Sequence, residues 1–412
     1  MGAAERSLGR QKPPLTRQNT GAGGGTRTHD LTITSRLRYQ LRHTGGTKPP
    51  SYGTAGGAAV RWCAGGGRAP RVLLPAGGTV AAMDHVRLGR TGLLVSELCL
   101  GTMTFGFQCD EETSIAILDR ADEAGITFLD TADVYPLGGG LSTVGRTEEI
   151  LGRWLRGKRD RFVVATKCFG RIGEAAWDQG NSRKHILDAV EGSLRRLGTD
   201  YLDLYQLHGP DAGTPIDETL AALDDLVRSG KVRYIGCSNF LAYQVARAIG
   251  RSEALGLARF DSVQPRYNLL FRQFERELLP LCQEEGIGVI PYNPIAGGLL
   301  SGKHNRASEP PEGTRFTLGS AASFYQERYW HDRQFATVEE LRAVAEDLGV
   351  PLVTLSVAWV LANPAVTAPI IGASRPEQLA ASLAATELDL SDDVLRRLDE
   401  LTSEYRMGDS PR

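Results

Sequence analysis

Four ionisable side chains close three short apolar segments of this sequence. The segment FLDTADVY contains Asp130 and Tyr135, the segment VVATK ends in Lys167, and the segment YLDLYQLH ends in His208. Hydride addition to a carbonyl carbon leaves an oxygen that must receive a proton, so a positioned acid and the groups that tune its pKa are what this reaction needs. The four residues are therefore predicted to form a site for carbonyl reduction, provided that the fold brings the three segment ends together.

The proton donor in this prediction is Tyr135. A tyrosine hydroxyl has a reference pKa of ~10 and is a weak acid at neutral pH unless a cation stabilises its phenolate. The ammonium of Lys167 at ~4 Å would contribute about 4 kcal/mol at an effective dielectric constant of ~20, although burial of the phenolate acts in the opposite direction. Asp130 is expected to keep Lys167 charged. His208 is expected to hydrogen-bond the substrate oxygen and orient it.

The three segments belong to a longer alternation of strand-like and helix-like patterns. Several of the predicted helices end at a glycine suited to a left-handed conformation, such as Gly125 and Gly198. The predicted strands cover residues 98–102, 127–131, 162–167, 201–208, 232–238, 261–266, 287–292 and 367–371. The predicted helices cover residues 111–124, 147–155, 182–197, 216–229, 241–249, 273–285, 337–348, 376–385 and a segment from 391, with a long insertion at about 295–335.

Eight strand–helix units in this length of chain are typical of a (β/α)8 barrel and disfavour an open doubly wound sheet. Two apolar runs on either side of the turn Gly89–Gly92 predict a β-hairpin before the first barrel strand. The predicted fold class is therefore α/β, a TIM barrel with an N-terminal β-hairpin cap. Barrels of this kind carry their catalytic groups at the carboxyl ends of the strands, which is where the four ionisable residues stand.

Composition separates residues 1–82 from the rest of the chain. They contain 16 glycines and hold 12 of the 47 basic residues but 2 of the 49 acidic ones, which leaves 35 basic and 47 acidic residues in 83–412. Such a segment cannot bury enough apolar surface to offset its chain entropy. We predict that residues 1–82 are a disordered, non-native extension upstream of the start at Met83, and that residues 83–412 form the barrel domain. The alternative is a basic arm that binds nucleic acid or a membrane.

Charge and cysteine usage narrow the class of protein further. The acidic balance of residues 83–412 predicts no nucleic-acid surface on the barrel, and no apolar run reaches the ~18–20 residues that a membrane span requires. The six cysteines are scattered, without a C-x-x-C pair, and are predicted to be reduced core thiols of a cytoplasmic protein. No His/Cys cluster has metal-ligand spacing, so no metal site is expected.

The most specific motif is GKVRYIGCSN, which ends in Ser238 and Asn239. With this motif and the four ionisable residues at matching positions, the chain resembles the aldo-keto reductase superfamily of bacterial type over residues 86–404. The resemblance implies an oxidoreductase that reduces an aldehyde or a ketone, including keto-sugars, with NADPH and with Tyr135 as the proton donor. It also implies a small-molecule carbonyl compound as the substrate.

The same resemblance implies which residues hold the cofactor. Ser238, Asn239 and Gln264 are expected to bind the nicotinamide carboxamide, and Tyr292 to stack on the nicotinamide ring. Arg375 is expected to bind the 2′-phosphate of the adenosine through planar, charge-assisted hydrogen bonds, which favours NADPH over NADH. The other residues expected at the cofactor are Gly101, Thr102, Met103, Asp130, Asn293, Pro294, Lys303, Arg315, Gly372, Ser374, Gln378 and Ser382, the last at a position where the family often has asparagine.

Two other interpretations stay open at this point. One is a nicotinamide-binding regulatory protein, like the potassium-channel β subunits that share the fold, although the complete set of four residues disfavours it. The other is an unrelated barrel enzyme such as a lyase or an isomerase, which would have no use for the nicotinamide-binding residues. The substrate is expected to be selected by the loops 136–145 and 169–179 and by the aromatic residues Phe324, Tyr325, Tyr329 and Trp330.

Overall fold

A computed structural model describes residues 83–407 of the chain, so the predicted extension over residues 1–82 lies outside the described residues. The strands are β1 (His85–Arg87), β2 (Leu94–Ser96), β3 (Cys99–Gly101), β4 (Phe128–Asp130), β5 (Val163–Cys168), β6 (Leu202–Leu207), β7 (Val232–Ser238), β8 (Ser262–Gln264), β9 (Gly288–Val289) and β10 (Ile370–Ile371). The helices are α1 (Glu111–Glu123), α2 (Arg146–Leu155), α3 (Arg183–Leu197), α4 (Ile216–Arg228), α5 (Ala242–Leu255), α6 (Leu278–Glu285), α7 (Ala322–Tyr329), α8 (Asp332–Asp347), α9 (Leu352–Leu361), α10 (Leu379–Leu383) and α11 (Asp392–Thr402).

The strands β3 to β10 form one parallel sheet in the order β10–β3–β4–β5–β6–β7–β8–β9. The two ends of this sheet meet, because Val289 of β9 is bridged in parallel to Val366 and the Ile370 backbone N–H donates to the Pro291 carbonyl at 2.8 Å. The parallel sheet is therefore curled into a barrel with helices around it. This architecture confirms the predicted (β/α)8 fold class.

The antiparallel hairpin β1–β2 closes the amino-terminal end of the barrel. Val86 lies opposite Val95 in this hairpin. Both side chains are buried in one cluster with the inward-facing Phe128, Ala165 and Leu204 of the barrel strands. The predicted hairpin cap is thus confirmed. It supplies apolar side chains to the end of the barrel that lies opposite the carboxyl ends of the strands.

The helix boundaries follow the capping signals in the sequence. The side chains of Asp110 and Ser182 accept hydrogen bonds from backbone N–H groups in the first turns of α1 and α3. Gly125 and Gly198 follow the same two helices with φ of +81° and +64°, the left-handed conformation that glycine adopts at low steric cost. These predicted helix ends are confirmed.

The sequence pattern does not predict helix α9. Leu352–Leu361 is buried on nearly every face, so its sequence lacks the 3.6-residue period by which a surface helix is recognised. The predicted insertion at about 295–335 also contains structure: the 3-10 turns Ala296–Ser301, Arg315–Thr317 and Gly319–Ala321, and the helix α7. Helix α8 begins at Asp332 instead of residue 337, and the predicted helix 376–385 is a short α10 between two 3-10 turns.

No single helix within residues 83–407 is long and apolar enough to cross a membrane. Helices α8 and α9 pass that test only when joined, and they are bent by 91° at the break between them.

The five cysteines among residues 83–407 (Cys99, Cys109, Cys168, Cys237 and Cys282) are buried and free, as predicted.

Candidate active site

The strand order brings the four ionisable residues to one end of the barrel. Asp130 is the last residue of β4, Lys167 lies on the adjacent β5, and His208 follows the next strand, β6. Tyr135 lies in the loop after β4 and is 8% exposed. Side chains alternate between the two faces of a strand, and Lys167 lies two residues after the inward-facing Ala165. The structure therefore groups these four residues as the sequence predicted.

Lys167 is the hub of the group. Its ammonium lies 2.5 Å from Asp130 Oδ2 and 2.8 Å from the Thr131 carbonyl, and its side chain is fully buried. Burial by itself would lower the pKa of Lys167, but the negative charge of Asp130 and the tyrosine raise it above the ordinary value. Lys167 is thus held as a cation, as predicted.

The pKa of Tyr135 departs from the prediction. Burial raises the pKa of this phenol above its ordinary value, and the Lys167 charge offsets only part of that effect. The Lys167 Nζ lies 5.0 Å from the centroid of the tyrosine ring. The expected net lowering of the pKa was wrong because removing the phenolate from water costs more than one ammonium restores. Tyr135 therefore stays protonated through neutral pH.

His208 faces Tyr135 across the site. The two ring centroids are 5.7 Å apart, with the rings nearly perpendicular. Burial and the charge of Lys167 lower the pKa of His208 to about 3, so its imidazole is neutral at physiological pH. A neutral imidazole can donate one hydrogen bond and adds no charge to the site.

Sequence reasoning missed one member of the site, Gln206. Its Nε2 donates to Asp130 Oδ1 at 3.2 Å, and Gln264 Nε2 donates to the same oxygen at 2.8 Å. Both oxygens of the buried Asp130 carboxylate are therefore satisfied, one by Lys167 and the other by two amides. A signal was present, because Gln206 stands two residues before His208 and so belongs to the same face of the strand.

The residues expected at the nicotinamide form a second network beside the first. Ser238 Oγ donates to the Gln264 carbonyl at 2.9 Å, and Asn239 Nδ2 donates to the His208 carbonyl at 2.8 Å. The Tyr292 hydroxyl donates to Asn239 Oδ1 at 2.8 Å. These contacts bring Ser238, Asn239, Gln264 and Tyr292 together next to His208. The amide nitrogen of Gln264 is already used by Asp130, which leaves its oxygen to accept from a ligand.

A cluster of three cations lies at the same barrel end, near the start of the segment that follows β10, and we call the space between it and the four ionisable residues the groove. A Cβ built on Gly372 would lie 3.9 Å from Arg315 Nη2, and the charge of Arg375 contributes, after burial, to lowering the pKa of Lys303. None of the three cations makes an ion pair with a carboxylate among residues 83–407. Converging cations without a carboxylate are a donor set for a phosphate or a diphosphate. We call these residues (Lys303, Arg315 and Arg375) the cationic cluster.

The remaining cofactor residues predicted from the sequence border the same groove. Thr102 Oγ1 donates to the Asp130 carbonyl at 2.9 Å, and Gln378 Oε1 accepts from the Ser374 backbone N–H at 2.8 Å. Asn293, with φ of +61°, has a buried amide nitrogen without a partner among the described residues. Its donor is free to meet an acceptor from a ligand. The others lie at the ends of β3 (Gly101 and Met103), after β9 (buried Pro294) and on α10 (buried Ser382).

Residues 97–403 match the model of the aldo/keto reductase family. The chain belongs to this family. A relative from Bacillus subtilis, "Uncharacterized oxidoreductase YrpG", is 40% identical over 326 residues, which cover 77% of this chain and 96% of that protein. "Protein tas" of Escherichia coli is 34% identical over 78% of this chain and 99% of its own length. A "Probable voltage-gated potassium channel subunit beta" of Arabidopsis thaliana is 37% identical over 74% of this chain and 92% of its own length.

Membership of the aldo/keto reductase family supports oxidoreductase activity on a small molecule, and the family generally uses nicotinamide cofactors. The residues present fit such a group at both of its ends. The cationic cluster suits the phosphates, and the unpartnered amide of Asn293 suits an acceptor. The catalytic end holds the Lys167 ammonium 5.0 Å from the centroid of the Tyr135 ring, where its charge can stabilise a phenolate.

Proposed function

We propose that this aldo/keto reductase reduces an aldehyde or a ketone, keto-sugars included, to the alcohol with NADPH, and that Tyr135 is the proton donor. The observation that carries the proposal is the position of the Lys167 ammonium, which is paired with the Asp130 carboxylate at 2.5 Å and lies 5.0 Å from the centroid of the Tyr135 ring inside a buried site. A bound nicotinamide would supply the hydride that the carbonyl carbon receives.

The residues of the chain supply the proton and hold the oxygen. The Tyr135 hydroxyl donates to the carbonyl oxygen and passes its proton as negative charge develops there. This transfer is downhill even from a phenol of raised pKa, because an alkoxide is a much stronger base than a phenolate. Lys167 stabilises the phenolate that remains. The neutral His208 donates a second hydrogen bond to the same oxygen and so orients the carbonyl group of the substrate.

The preference for NADPH follows from the cationic cluster. Arg375 and Arg315 would bind the 2′-phosphate and Lys303 the diphosphate, each without a competing carboxylate among the described residues. Guanidinium groups bind phosphate oxygens through paired, charge-assisted hydrogen bonds. At the other end, Ser238, Asn239 and Gln264 would hold the carboxamide, with Tyr292 against the ring.

The substitution Tyr135→Phe tests the proposal. It removes the acid and keeps the ring, so kcat/KM for aldehyde reduction should fall by at least about 10²–10⁴-fold while the variant still binds NADPH more tightly than NADH. Turnover is followed by NADPH absorbance, and binding by nucleotide fluorescence. Tyr243→Phe is the matched control, because this tyrosine is 64% exposed on α5 and should change neither quantity. Near-normal turnover of Tyr135→Phe would show that the proton comes from another group.

A second candidate function rests on the likeness to proteins named as potassium channel β subunits, at 37% identity. In that case the chain would bind the nicotinamide cofactor as a regulatory ligand. The two functions differ in a panel assay with aldehydes, ketones, quinones and keto-sugars. Tight NADPH binding with no turnover of any compound would favour the regulatory function. Turnover that Tyr135→Phe abolishes would favour the reductase.

We propose in addition that residues 83–412 form the barrel domain and that this domain works in the cytoplasm. The location is supported by the buried, free thiols of the described cysteines, which are typical of a reducing compartment.

A further inference from the structure

Helix α7, inside the insertion that follows β9, brings side chains to the catalytic end of the groove. The helix is anchored by two tyrosines that are almost fully buried. Tyr325 accepts a hydrogen bond from Arg315 Nη1 at 3.4 Å, and Tyr329 accepts one from Asn268 Nδ2 at 3.1 Å. Between these anchors stands Arg328, which is half-buried. Its position therefore depends on a helix that is fixed on both sides.

Arg328 lies near Tyr292. The adjacent Tyr329 is bonded to Asn268, which also donates to the Asn293 carbonyl at 2.9 Å, and the charge of Arg328 opposes the rise in the pKa of the Tyr292 hydroxyl. That hydroxyl donates to Asn239 Oδ1 at 2.8 Å. Asn239 is bonded to the His208 carbonyl. The guanidinium carbon also lies 3.4 Å from the centroid of the Phe324 ring, a stacked position that limits its movement. Arg328 thus stands at the tetrad end of the groove, whereas the cationic cluster surrounds Gly372.

The charge of Arg328 has no carboxylate partner among residues 83–407. Arg306 of the same insertion differs, since its Nε lies 2.6 Å from Asp332 Oδ1. A half-buried guanidinium that has no counter-ion is available to bind an anionic ligand.

The catalytic groups do not neutralise this cation. The charges of Asp130 and Lys167 cancel in their ion pair. His208 is neutral because burial lowers its pKa to about 3, and Tyr135 is neutral because burial raises its pKa. The pKa of Tyr292 is raised by burial, and the charges of Arg328 and Arg266 oppose that rise. None of the catalytic groups therefore carries a charge that balances Arg328.

We propose that the carbonyl substrate carries a carboxylate, and that Arg328 binds this carboxylate and makes the protein selective for anionic carbonyl compounds. The planar guanidinium matches the two oxygens of a carboxylate through paired hydrogen bonds. The inference rests on the proposed reductase function. It goes beyond that function by assigning a chemical class to the substrate and a residue to its selection.

Two aldehydes of nearly equal shape test the inference. 4-Carboxybenzaldehyde and 4-nitrobenzaldehyde both carry a planar two-oxygen group, but the first is anionic. In the unmodified protein we expect kcat/KM to favour the carboxylate. In Arg328→Gln the ratio of the two kcat/KM values should fall by about 10–100-fold, the scale of a lost charge-assisted hydrogen bond, mainly through KM for the anionic aldehyde. Arg328→Lys should restore part of the ratio. Arg306→Gln, which removes a paired arginine of the same insertion, should leave the ratio unchanged.

Each outcome has a distinct meaning. A ratio that is the same in Arg328→Gln and in the unmodified protein overturns the inference. An equal fall for both aldehydes does so too, because Arg328 would then only support Tyr292. If the unmodified protein reduces neither aldehyde nor any other carbonyl compound, the proposed function is wrong and the inference falls with it. If the protein reduces the nitro compound but its preference between the two aldehydes does not depend on Arg328, the inference is overturned and the proposed function stands. NADPH binding by each variant reports whether the fold is intact.

Discussion

Asp130 shows at the scale of one residue why the candidate site is assembled as a unit. Its carboxylate is almost fully buried and accepts from Lys167, Gln206 and Gln264. Removal of Lys167 would leave a buried carboxylate without its cation, which costs stability in addition to any effect on catalysis. Substitution of Tyr135 by phenylalanine causes no such loss of stability, because phenylalanine keeps the ring and its packing. Tyr135→Phe is for this reason the cleaner probe of the chemistry.

The pKa values of Tyr135 and His208 predict an unusual pH dependence for the reduction. The donor must be protonated, and burial raises the pKa of Tyr135 above ~10, so activity is lost only as pH rises through that value. His208, with its pKa lowered to about 3, does not titrate near neutrality. We expect kcat/KM for a neutral aldehyde to be constant between about pH 5 and 9 and to fall only above this range.

This pH profile is measured from NADPH absorbance in buffers of constant ionic strength. Tyr135→Phe is the control, since its residual activity should lack the alkaline fall. A decline centred between about pH 6 and 7 in the unmodified protein would contradict the assignment of a neutral His208 and a protonated Tyr135.

At the scale of elements, short strands and tight turns position the site. The hairpin β1–β2 closes the barrel end opposite the catalytic residues, and its turn contacts the loop before β9. The Arg90 backbone N–H donates to the Gly286 carbonyl at 2.7 Å. Gly89 in this turn has φ of +56°, and a Cβ placed there would overlap the backbone of Gly286 and Gly288. The close approach of hairpin and barrel thus depends on a glycine.

Gly89→Ala should destabilise the barrel by about 1–3 kcal/mol, because the left-handed backbone and the steric overlap act together. The free energy of unfolding is measured by urea denaturation. Gly92→Ala in the same turn is the matched control: a Cβ at that position meets no atom within 4 Å, so its stability should change little. Equal stability of Gly89→Ala and the unmodified protein would mean that the close packing of the hairpin turn does not stabilise the barrel.

At the scale of the whole molecule, the charge of the body and the charge of its site have opposite signs. Residues 83–412 carry 47 acidic and 35 basic residues, yet the groove contains Lys303, Arg315, Arg375 and Arg328 without carboxylate partners among the described residues. A positively charged groove in an acidic body attracts an incoming anion and raises its local concentration. Both proposed ligands, NADPH and a carboxylate-bearing carbonyl compound, are anions.

The proposed domain boundary leads to a prediction for the whole chain. A protein that begins at Met83 should keep the melting temperature and turnover of the full chain, because the hairpin and all eight barrel strands lie within residues 83–407. Calorimetry and NADPH oxidation measure the two properties. A start at Leu98 is the control, since it removes β1 and β2 and should lower the melting temperature. Loss of folding or turnover in the Met83 protein would show that residues 1–82 are structural.

The barrel, the hairpin cap, the helix ends at glycine and the grouping of Asp130, Tyr135, Lys167 and His208 could all be predicted from the sequence. Each of these follows from local patterns: strand alternation, capping residues, and the rule that parallel strands end at one rim. The direction of the pKa shift of Tyr135 could not be predicted, because desolvation depends on what surrounds the hydroxyl in space. Helix α9 could not be predicted either, because its apolar faces carry no period, and the position of Arg328 near Tyr292 depends on a fold that brings together residues 36 positions apart.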